Sequence, residues 1–167
     1  MPPALLIIAD DLTGANDTGV QFAKQGSSVI VSIHHNQNLG AWAREAQVLV
    51  VNTESRHVSA DEAFGRVYRL AQKGVQLGIP RFYKKTDSTL RGNIGSELAA
   101  LIDATGEREL FFAPAYPKLH RTTRHGIQFV NGLPLSQSAF AADPLNPICE
   151  DSVAKIIARQ TQVESNR

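Results

Sequence analysis

The stretch ALLIIADDLTGANDTGVQFAKQG, residues 4–26, contains the repeating unit from which the fold is predicted. Its first six residues, 4–9, are continuously apolar, which is typical of a strand buried on both faces of a parallel sheet. Two aspartates follow, and residues 15–25 then predict a helix that is closed by Gly26. A buried strand, a polar turn and a helix in this order indicate the βα unit of an α/β protein.

The same alternation of strand and helix recurs along the rest of the chain. Further strands are predicted at residues 28–33, 47–52, 81–85 and 109–113, and further helices at residues 59–77, 93–104 and 151–161. Asn131-Gly132 predicts the turn of a hairpin within residues 126–136. We therefore expect a three-layer α/β/α fold with a mostly parallel, Rossmann-like sheet, a C-terminal hairpin insertion and a final helix.

The length and composition favour one globular domain. The chain has 167 residues, of which 43% are hydrophobic and 20% are charged. The single cysteine excludes an intrachain disulfide and favours a cytoplasmic location. The first apolar run is too short for a membrane span and has no basic flank, so we expect no signal peptide. The domain is expected to cover residues 1–161, with a polar tail at residues 162–167.

The net charge of +1 hides two basic segments. Residues 81–91 hold four basic side chains against one acid, and residues 118–125 hold three basic side chains and no acid. The remainder of the chain is therefore acidic. This concentration favours a local site for a small anion over a broad nucleic-acid surface, although two solvated basic loops would give the same count.

Polar segments follow four of the five predicted strands. They read, in chain order, DDLTGAND, TESR, KTDSTLRGN and PAYPKLHRTT. Ligands of open parallel sheets bind outside the carboxyl ends of the strands. If the sheet is parallel, these four segments meet at one edge, and we expect a single site there.

The residue types in these segments suit a small polyhydroxy acid. Asp10 and Asp11 could bind Mg²⁺, act as a general base or accept hydrogen bonds from hydroxyls, or simply cap a helix. Arg56 is suited to planar, bidentate recognition of a carboxylate, or to a surface ion pair. Lys84 and Lys85 point to opposite faces of a strand, so we expect only one of them to reach a ligand.

Taken together, the motifs resemble the N-terminal domain of the four-carbon acid sugar kinases, a family once called domain of unknown function 1537. The resemblance covers residues 4 to about 161. The segments that carry it are IADDLTGANDTGVQFAKQG, NTESRH, YKKTDSTLRGNIGSEL, FAPAYPKLHRTT with GIQFVNGLPL, and ADPLNP, in this order.

The resemblance implies ATP-dependent phosphate transfer to a hydroxyl of threonate, erythronate or an oxo-tetronate. It further implies that this domain binds the sugar acid, while ATP and Mg²⁺ are bound mainly by a separate C-terminal domain. Asp11 is expected to be the catalytic base or to orient the attacking hydroxyl. The expected substrate-binding residues are Asp10, Asp11, Arg56, Lys84, Asp87, Ser88, Arg91 and Arg121. No cofactor-binding or metal-ligating residue is assigned to this chain.

Two features depart from the family pattern. His120 stands where the family usually has a glycine before Arg-Thr-Thr, which puts the geometry of this loop and the role of Arg121 in question. The chain also has no GxxxxGK[ST] phosphate loop, since Gly92 and Gly95 belong to the sugar-side motif. We therefore expect no nucleotide domain in this chain and no kinase activity from it alone.

The expected partners are a four-carbon sugar acid and either a separate nucleotide-binding chain or a second copy of this chain, with no nucleic acid and no membrane. Two other functions stay open at this point. One is a non-enzymatic module that binds a small anion or regulates another protein. The other is a Mg²⁺-dependent phosphatase using Asp10 and Asp11, although these adjacent residues lack the usual Asp-x-Asp spacing.

Overall fold

The computed structural model describes residues 2–35 and 38–161, so the predicted polar tail at 162–167 lies outside the described residues. The first sheet has four strands: Leu5–Ala9 (β1), Val29–Ser32 (β2), Val48–Asn52 (β3) and Phe82–Lys85 (β4). The second has three: Arg121–Arg124 (β5), Ile127–Val130 (β6) and Leu133–Pro134 (β7). The helices are Leu12–Lys24 (α1), Leu39–Trp42 (α2), Ala60–Gln76 (α3), Ile94–Thr105 (α4) and Val153–Ala158 (α5).

The first sheet is parallel throughout, with strand order β2-β3-β1-β4. Helix α1 covers one face, where Ile7 and Ala9 are fully buried. On the other face Leu6 and Ile8 pack in a core cluster with side chains of α3 and α4. Successive residues of β1 thus alternate between two cores, which confirms the predicted three-layer α/β/α fold.

The helices begin where the sequence supplies a capping side chain. Ser59 Oγ accepts a hydrogen bond from Glu62 N (3.2 Å) at the start of α3, as predicted. Helix α1 begins at Leu12, three residues earlier than predicted, because Asp11 caps it. The short helix α2 was not predicted, and α5 is shorter than the predicted 151–161. Within residues 2–35 and 38–161, no helix is long and apolar enough to span a membrane.

The predicted fifth parallel strand at residues 109–113 is wrong. Leu110 and Phe112 pack against the core clusters, while Phe111 between them is 97% exposed. The alternating side chains give this segment the apolar pattern of a strand. Here every second apolar side chain packs on the core, but the backbone does not pair with a neighbouring strand. Strand β4 therefore remains at the edge of the four-stranded sheet.

The predicted C-terminal hairpin is confirmed, and it belongs to a larger three-stranded antiparallel sheet, β5-β6-β7. Asn131 and Gly132 connect β6 and β7 with φ of 51° and 81°, as expected for a two-residue hairpin turn. A second turn, His125-Gly126, joins β5 to β6 in the same way. Residues 121–123, expected to end the polar loop PAYPKLHRTT, therefore lie in strand β5.

Candidate functional site

The loops that follow β1, β3 and β4 lie side by side because β1 is flanked by β3 and β4. Ser55 N and Arg56 N both donate to Asp10 O, at 3.1 and 3.4 Å, which ties the loop after β3 to the end of β1. The predicted convergence of these three segments is confirmed. The fourth segment arrives differently, since β5 of the antiparallel sheet brings Arg121 to Ser88 in the loop after β4.

Arg56 joins the two aspartates that follow β1. Its Nε donates to Asp10 Oδ2 at 2.7 Å, and its Nη1 donates to Asp11 Oδ2 at 2.6 Å. Burial by itself lowers the pKa of Arg56, but the hydrogen bond and the charges of the neighbouring aspartates raise it above its ordinary value. Arg56 thus forms ion pairs, as one alternative expected, but they are with Asp10 and Asp11 and its side chain is only 10% exposed.

Asp11 has both carboxylate oxygens engaged. Besides its bond to Arg56, its Oδ1 accepts a hydrogen bond from Gly14 N (2.7 Å) and so caps helix α1. Its side chain is 28% exposed, whereas that of Asp10 is 2% exposed. Asp10 Oδ1 is buried and has no hydrogen-bond partner among the described residues. Asp11 is therefore the member of this pair that solvent, and hence a ligand, can reach.

Lys84 and Lys85 point to opposite faces of β4, as predicted. Lys84 pairs in register with Ile8 and lies on the α4 face, where its Nζ is 2.9 Å from Glu97 Oε2. Both of these side chains are only 1% exposed. Burial raises the pKa of Glu97, and the charge of Lys84 opposes that rise. The ammonium group of Lys84 is thus neutralised beneath the site.

Lys85 lies on the α1 face, beside Asp11. A Cβ atom added to Gly14 would be 2.8 Å from Asp11 Oδ1 and 3.4 Å from Lys85 Nζ, so the ammonium group lies close to the start of α1. Lys85 Nζ donates to Thr86 O at 2.7 Å. It forms no ion pair with the residues that the structure describes.

Arg91 is held between two carboxylates. Its Nε donates to Asp87 Oδ2 (2.5 Å) and its Nη1 donates to Asp143 Oδ2 (3.0 Å). Although burial alone raises the pKa of Asp87, hydrogen bonds from Arg91 and Thr89 lower it to about 2. Asp87 is therefore ionised at neutral pH and fixed in the loop that follows β4.

Arg121 has a hydroxyl partner instead of a carboxylate. Its Nη1 donates to Ser88 Oγ at 2.5 Å, and its buried Nε has no hydrogen-bond partner among the described residues. Gln128 Nε2 fixes the same loop by donating to Ser88 O at 2.7 Å. The ring centroid of Phe140 lies 5.4 Å from the guanidinium carbon of Arg121 and 5.2 Å from that of Arg91.

His120 adopts the conformation that a glycine would adopt. Its φ and ψ are 53° and 32°, which lie in the left-handed region. Its carbonyl oxygen accepts a hydrogen bond from Asn131 N at 2.9 Å, across the β5-β6 pair. The substitution of His for Gly therefore leaves this loop in a left-handed turn, and Arg121 still reaches Ser88.

The structure adds residues that the sequence reasoning missed. Glu97 has the position of an ordinary acidic residue in the first turn of α4, and nothing in the local sequence connects it to Lys84 on β4. Phe140 and Asp143 lie about fifty positions beyond Arg91 in the chain. The segment ADPLNP belonged to the resemblance, but nothing in its spacing connected it to the loop after β4.

Fold and site together define an α/β domain whose charged and hydroxyl side chains meet at the carboxyl edge of a parallel sheet. A family model described as a sugar-binding N-terminal domain matches residues 5–167. The chain belongs to this family, and the predicted resemblance is confirmed.

Curated relatives include kinases of four-carbon sugar acids. The D-threonate kinase of Salmonella typhimurium is 43% identical over 160 residues, which cover 95% of this chain and 37% of the relative. The D-erythronate kinase of Heliobacterium modesticaldum is 37% identical over 159 residues, covering 95% of this chain and 36% of the relative. The chain thus spans a little over a third of the length of these relatives.

A solved structure shows the same fold. It is a domain of unknown function (DUF1537) from Bordetella bronchiseptica, a domain-swapped dimer with bound citrate. The superposition has a TM-score of 0.90 with 35% sequence identity, and it covers 95% of this chain and 41% of that chain. The mixed α/β fold predicted from the sequence is therefore that of its solved relatives.

Proposed function

We propose that this chain is the sugar-acid-binding part of a cytoplasmic, ATP-dependent kinase that phosphorylates a hydroxyl of a four-carbon sugar acid. The observation that carries the proposal is the state of Arg121. It is a half-buried guanidinium with an unpartnered Nε, no carboxylate within ion-pair distance in the described residues, and a hydroxyl beside it. A carboxylate ligand beside this half-buried guanidinium would supply the missing negative charge.

Of the remaining predicted residues, some would contact the ligand and others would hold the contacting residues in place. Ser88 and Arg91 lie next to Arg121 or share its aromatic neighbour, so we place the carboxylate of the sugar acid among these three. Asp87 would accept hydrogen bonds from hydroxyls at this end of the ligand. Asp10, Arg56, Lys84 and Asp87 are the buried members of the predicted set. We assign the first three the task of holding the ligand-contacting groups in place, since only Asp87 shares its loop with Ser88 and Arg91.

Asp11 is the residue that we expect to act on the attacking hydroxyl. It is more exposed than Asp10, and Arg56 and the α1 N-terminus hold its carboxylate in one orientation. An ionised carboxylate so fixed would orient the hydroxyl and accept its proton as the oxygen is phosphorylated. Lys85 beside it would offset the negative charge that gathers near that oxygen.

We propose that this chain does not bind ATP by itself. The sequence has no GxxxxGK[ST] loop, and the two glycines near the site serve packing. A Cβ at Gly92 would lie 2.9 Å from Arg56 Cγ, and one at Gly95 would collide with the carbonyl oxygen of Ile157. Within the same residues, no group of three or more His, Cys, Asp or Glu side chains is placed to hold a metal ion. We therefore propose that ATP and Mg²⁺ are bound by a separate domain, as the greater length of the relatives allows.

A titration of the chain with four-carbon acids tests the proposal. Calorimetry with threonate, erythronate and 3-oxo-tetronate should show binding of at least one acid by the wild-type chain. Arg121→Gln should weaken that binding tenfold or more, because a charge-assisted hydrogen bond contributes roughly 1.5–3 kcal/mol. Arg108→Gln, which removes an exposed cation away from the site, is the matched control and should bind normally.

The competing functions predict other results. A folded wild-type chain that binds none of these acids would contradict the proposal. Binding without phosphorylation, even with a nucleotide-binding partner and ATP present, would instead support a non-enzymatic module. The phosphatase has less support, because Arg56 already occupies the position between Asp10 and Asp11 where a bridging cation would bind.

We also propose that this chain associates with a second copy of itself. The support is the 97% exposed Phe111, which lies outside the helices and strands, together with the domain-swapped dimers of the Bordetella relative. Light scattering should report a mass above that of one chain, and Phe111→Asp should reduce it. Leu145→Asp, at another exposed apolar residue, is the control. A wild-type monomer at high concentration would refute this partner.

A further inference from the structure

Phe140 is only partly buried, at the margin of a core cluster. It lies in a 3-10 turn, Ala139–Ala142, and only part of its side chain packs against the core cluster beneath. The rest of the ring faces two cations, with guanidinium carbons 5.2 Å (Arg91) and 5.4 Å (Arg121) from its centroid. Both distances are within the range in which an aromatic ring attracts a cation.

Two like charges at one ring need an explanation, because guanidinium groups repel each other. The ring carries negative potential on its faces, which offsets part of this repulsion and gives both side chains a common surface. Arg91 already has Asp87 and Asp143 as carboxylate partners, so an anion beside Arg121 would supply the charge that is still missing. The arrangement is therefore suited to an anionic ligand, which would balance its positive charge.

The segment that carries Phe140 is itself fixed to the site. Asp143, three residues further on, accepts from Arg91 Nη1 at 3.0 Å, and its other oxygen accepts from Leu145 N and Asn146 N. Asp143 N donates to Phe140 O at 3.2 Å. The turn that carries the ring is thus fixed to the site through Arg91 and by its own backbone hydrogen bond, without any contribution from Arg121.

The two arginines depend on this ring to different degrees. Arg91 is also held by Asp87 and Asp143, so loss of the ring leaves it two carboxylate partners. Arg121 has only the hydroxyl of Ser88 among the described residues. Removal of the ring should therefore release Arg121 in particular.

We propose that Phe140 is a positioning residue that holds Arg121 beside Arg91, so that the pair together recognises the carboxylate of the substrate. This inference rests on the proposed function and adds a specificity determinant to it. The ring selects for an anionic ligand through the arginines and does not need to touch the ligand. An uncharged polyol of the same length gains nothing from this arrangement.

Three variants separate the aromatic face from simple packing. Phe140→Leu and Phe140→Met keep an apolar side chain but remove the ring, whereas Phe140→Tyr keeps the ring. Leu and Met should weaken binding of the four-carbon acid about fivefold to thirtyfold, the range expected for a partly desolvated cation–π contact. Tyr should bind within about twofold of the wild type. Binding of threitol, the uncharged control, should be the same in all four proteins.

A double variant tests whether Phe140 acts through Arg121. In the Arg121→Gln background, Phe140→Leu should cause little further loss of affinity, because the group that it positions is absent. Equal losses in both backgrounds would mean that Phe140 contributes only packing. Wild-type affinity in both Phe140→Leu and Phe140→Met would overturn the inference while the proposed function stands.

A readout that needs no ligand distinguishes the two proposals. The side-chain Nε–H resonances of Arg91 and Arg121 should carry a ring-current shift in the wild type that is lost in Phe140→Leu and kept in Phe140→Tyr. Unchanged resonances in Phe140→Leu would overturn the inference, whatever the affinity for sugar acids. Shifted resonances in a chain that binds no four-carbon acid would overturn the proposed function and, with it, the carboxylate as the ligand of this pair.

Discussion

The buried pair of Lys84 and Glu97 should show a large energetic asymmetry between removing one partner and removing both. Lys84 Nζ and Glu97 Oε2 are 2.9 Å apart, and both side chains are 1% exposed. Removal of one member leaves an uncompensated charge in the interior, which costs about 3–5 kcal/mol. Replacement of both by apolar residues of similar size is often nearly neutral.

We therefore expect Lys84→Met and Glu97→Met each to lower the free energy of unfolding by about 3–5 kcal/mol, and the double variant by about 1 kcal/mol or less. Ser55, which bonds Glu97, keeps Thr53 as a hydrogen-bond partner in the double variant. The free energy of unfolding of a native domain is about 5–15 kcal/mol, so either single substitution should remove a large share of the stability.

Urea unfolding, followed by the fluorescence of the single tryptophan and by circular dichroism, measures these energies. The stability of the Lys84→Met variant should also depend on pH. Burial raises the folded-state pKa of Glu97, and this variant removes the cation that opposes the rise. In this variant the folded state binds the Glu97 proton more tightly than the unfolded state does. The free energy of unfolding of the variant therefore falls as pH rises above the unfolded-state pKa of Glu97. The loss of stability relative to the wild type should be smaller at pH 5 than at pH 8.

The reasoning is refuted by either of two results. Single variants within 1 kcal/mol of the wild type would mean that the pair is not effectively buried. A double variant that equals the sum of the singles would mean that the two charges do not interact. If the single variants do not fold, cooperative unfolding of the double variant is still expected, and a double variant that also fails to fold contradicts the argument.

Three further predictions follow from single positions. Asp87, whose folded pKa is about 2 against an ordinary 3.8, should contribute about 2 kcal/mol of stability that is present above pH 4 and is lost as pH falls to 2; urea unfolding against pH measures this. Gly95→Ala should cost more than 2 kcal/mol, since its Cβ meets the carbonyl oxygen of Ile157 on α5; thermal unfolding measures the loss. His120→Gly should raise stability by up to about 1 kcal/mol in urea unfolding, because it removes a left-handed non-glycine residue.

Each of these predictions has a control. Asp87→Asn should reduce the fall in the free energy of unfolding at acid pH. An unchanged fall would mean that other carboxylates cause it. Gly65→Ala in α3 meets only the flexible side chain of Arg69 and should be neutral or stabilising. A gain from His57→Gly equal to that from His120→Gly would remove the left-handed conformation as the cause.

Much of the fold followed from local sequence pattern. The apolar runs of β1 and β3 and the capping residue of α3 were sufficient to predict a parallel α/β sheet, because strand burial and helix capping depend on neighbours in the chain. The pattern failed at residues 109–113, where alternation without a pairing partner looked the same as a strand. It also missed β5, whose Arg-Thr-Thr-Arg sequence has no apolar alternation.

For the site, the sequence indicated which charged residues are present but not which of them form ion pairs. Alternation along β4 predicted that Lys84 and Lys85 face opposite ways, and the strand ends predicted which loops meet. Which cations have a carboxylate partner and which have none among the described residues was decided only by the tertiary structure. Arg56 and Asp10 are 46 positions apart, and Arg91 and Asp143 are 52 apart. Such pairs form only when separate loops are packed together, and it is their burial, absent from any local pattern, that gives the contacts their energy.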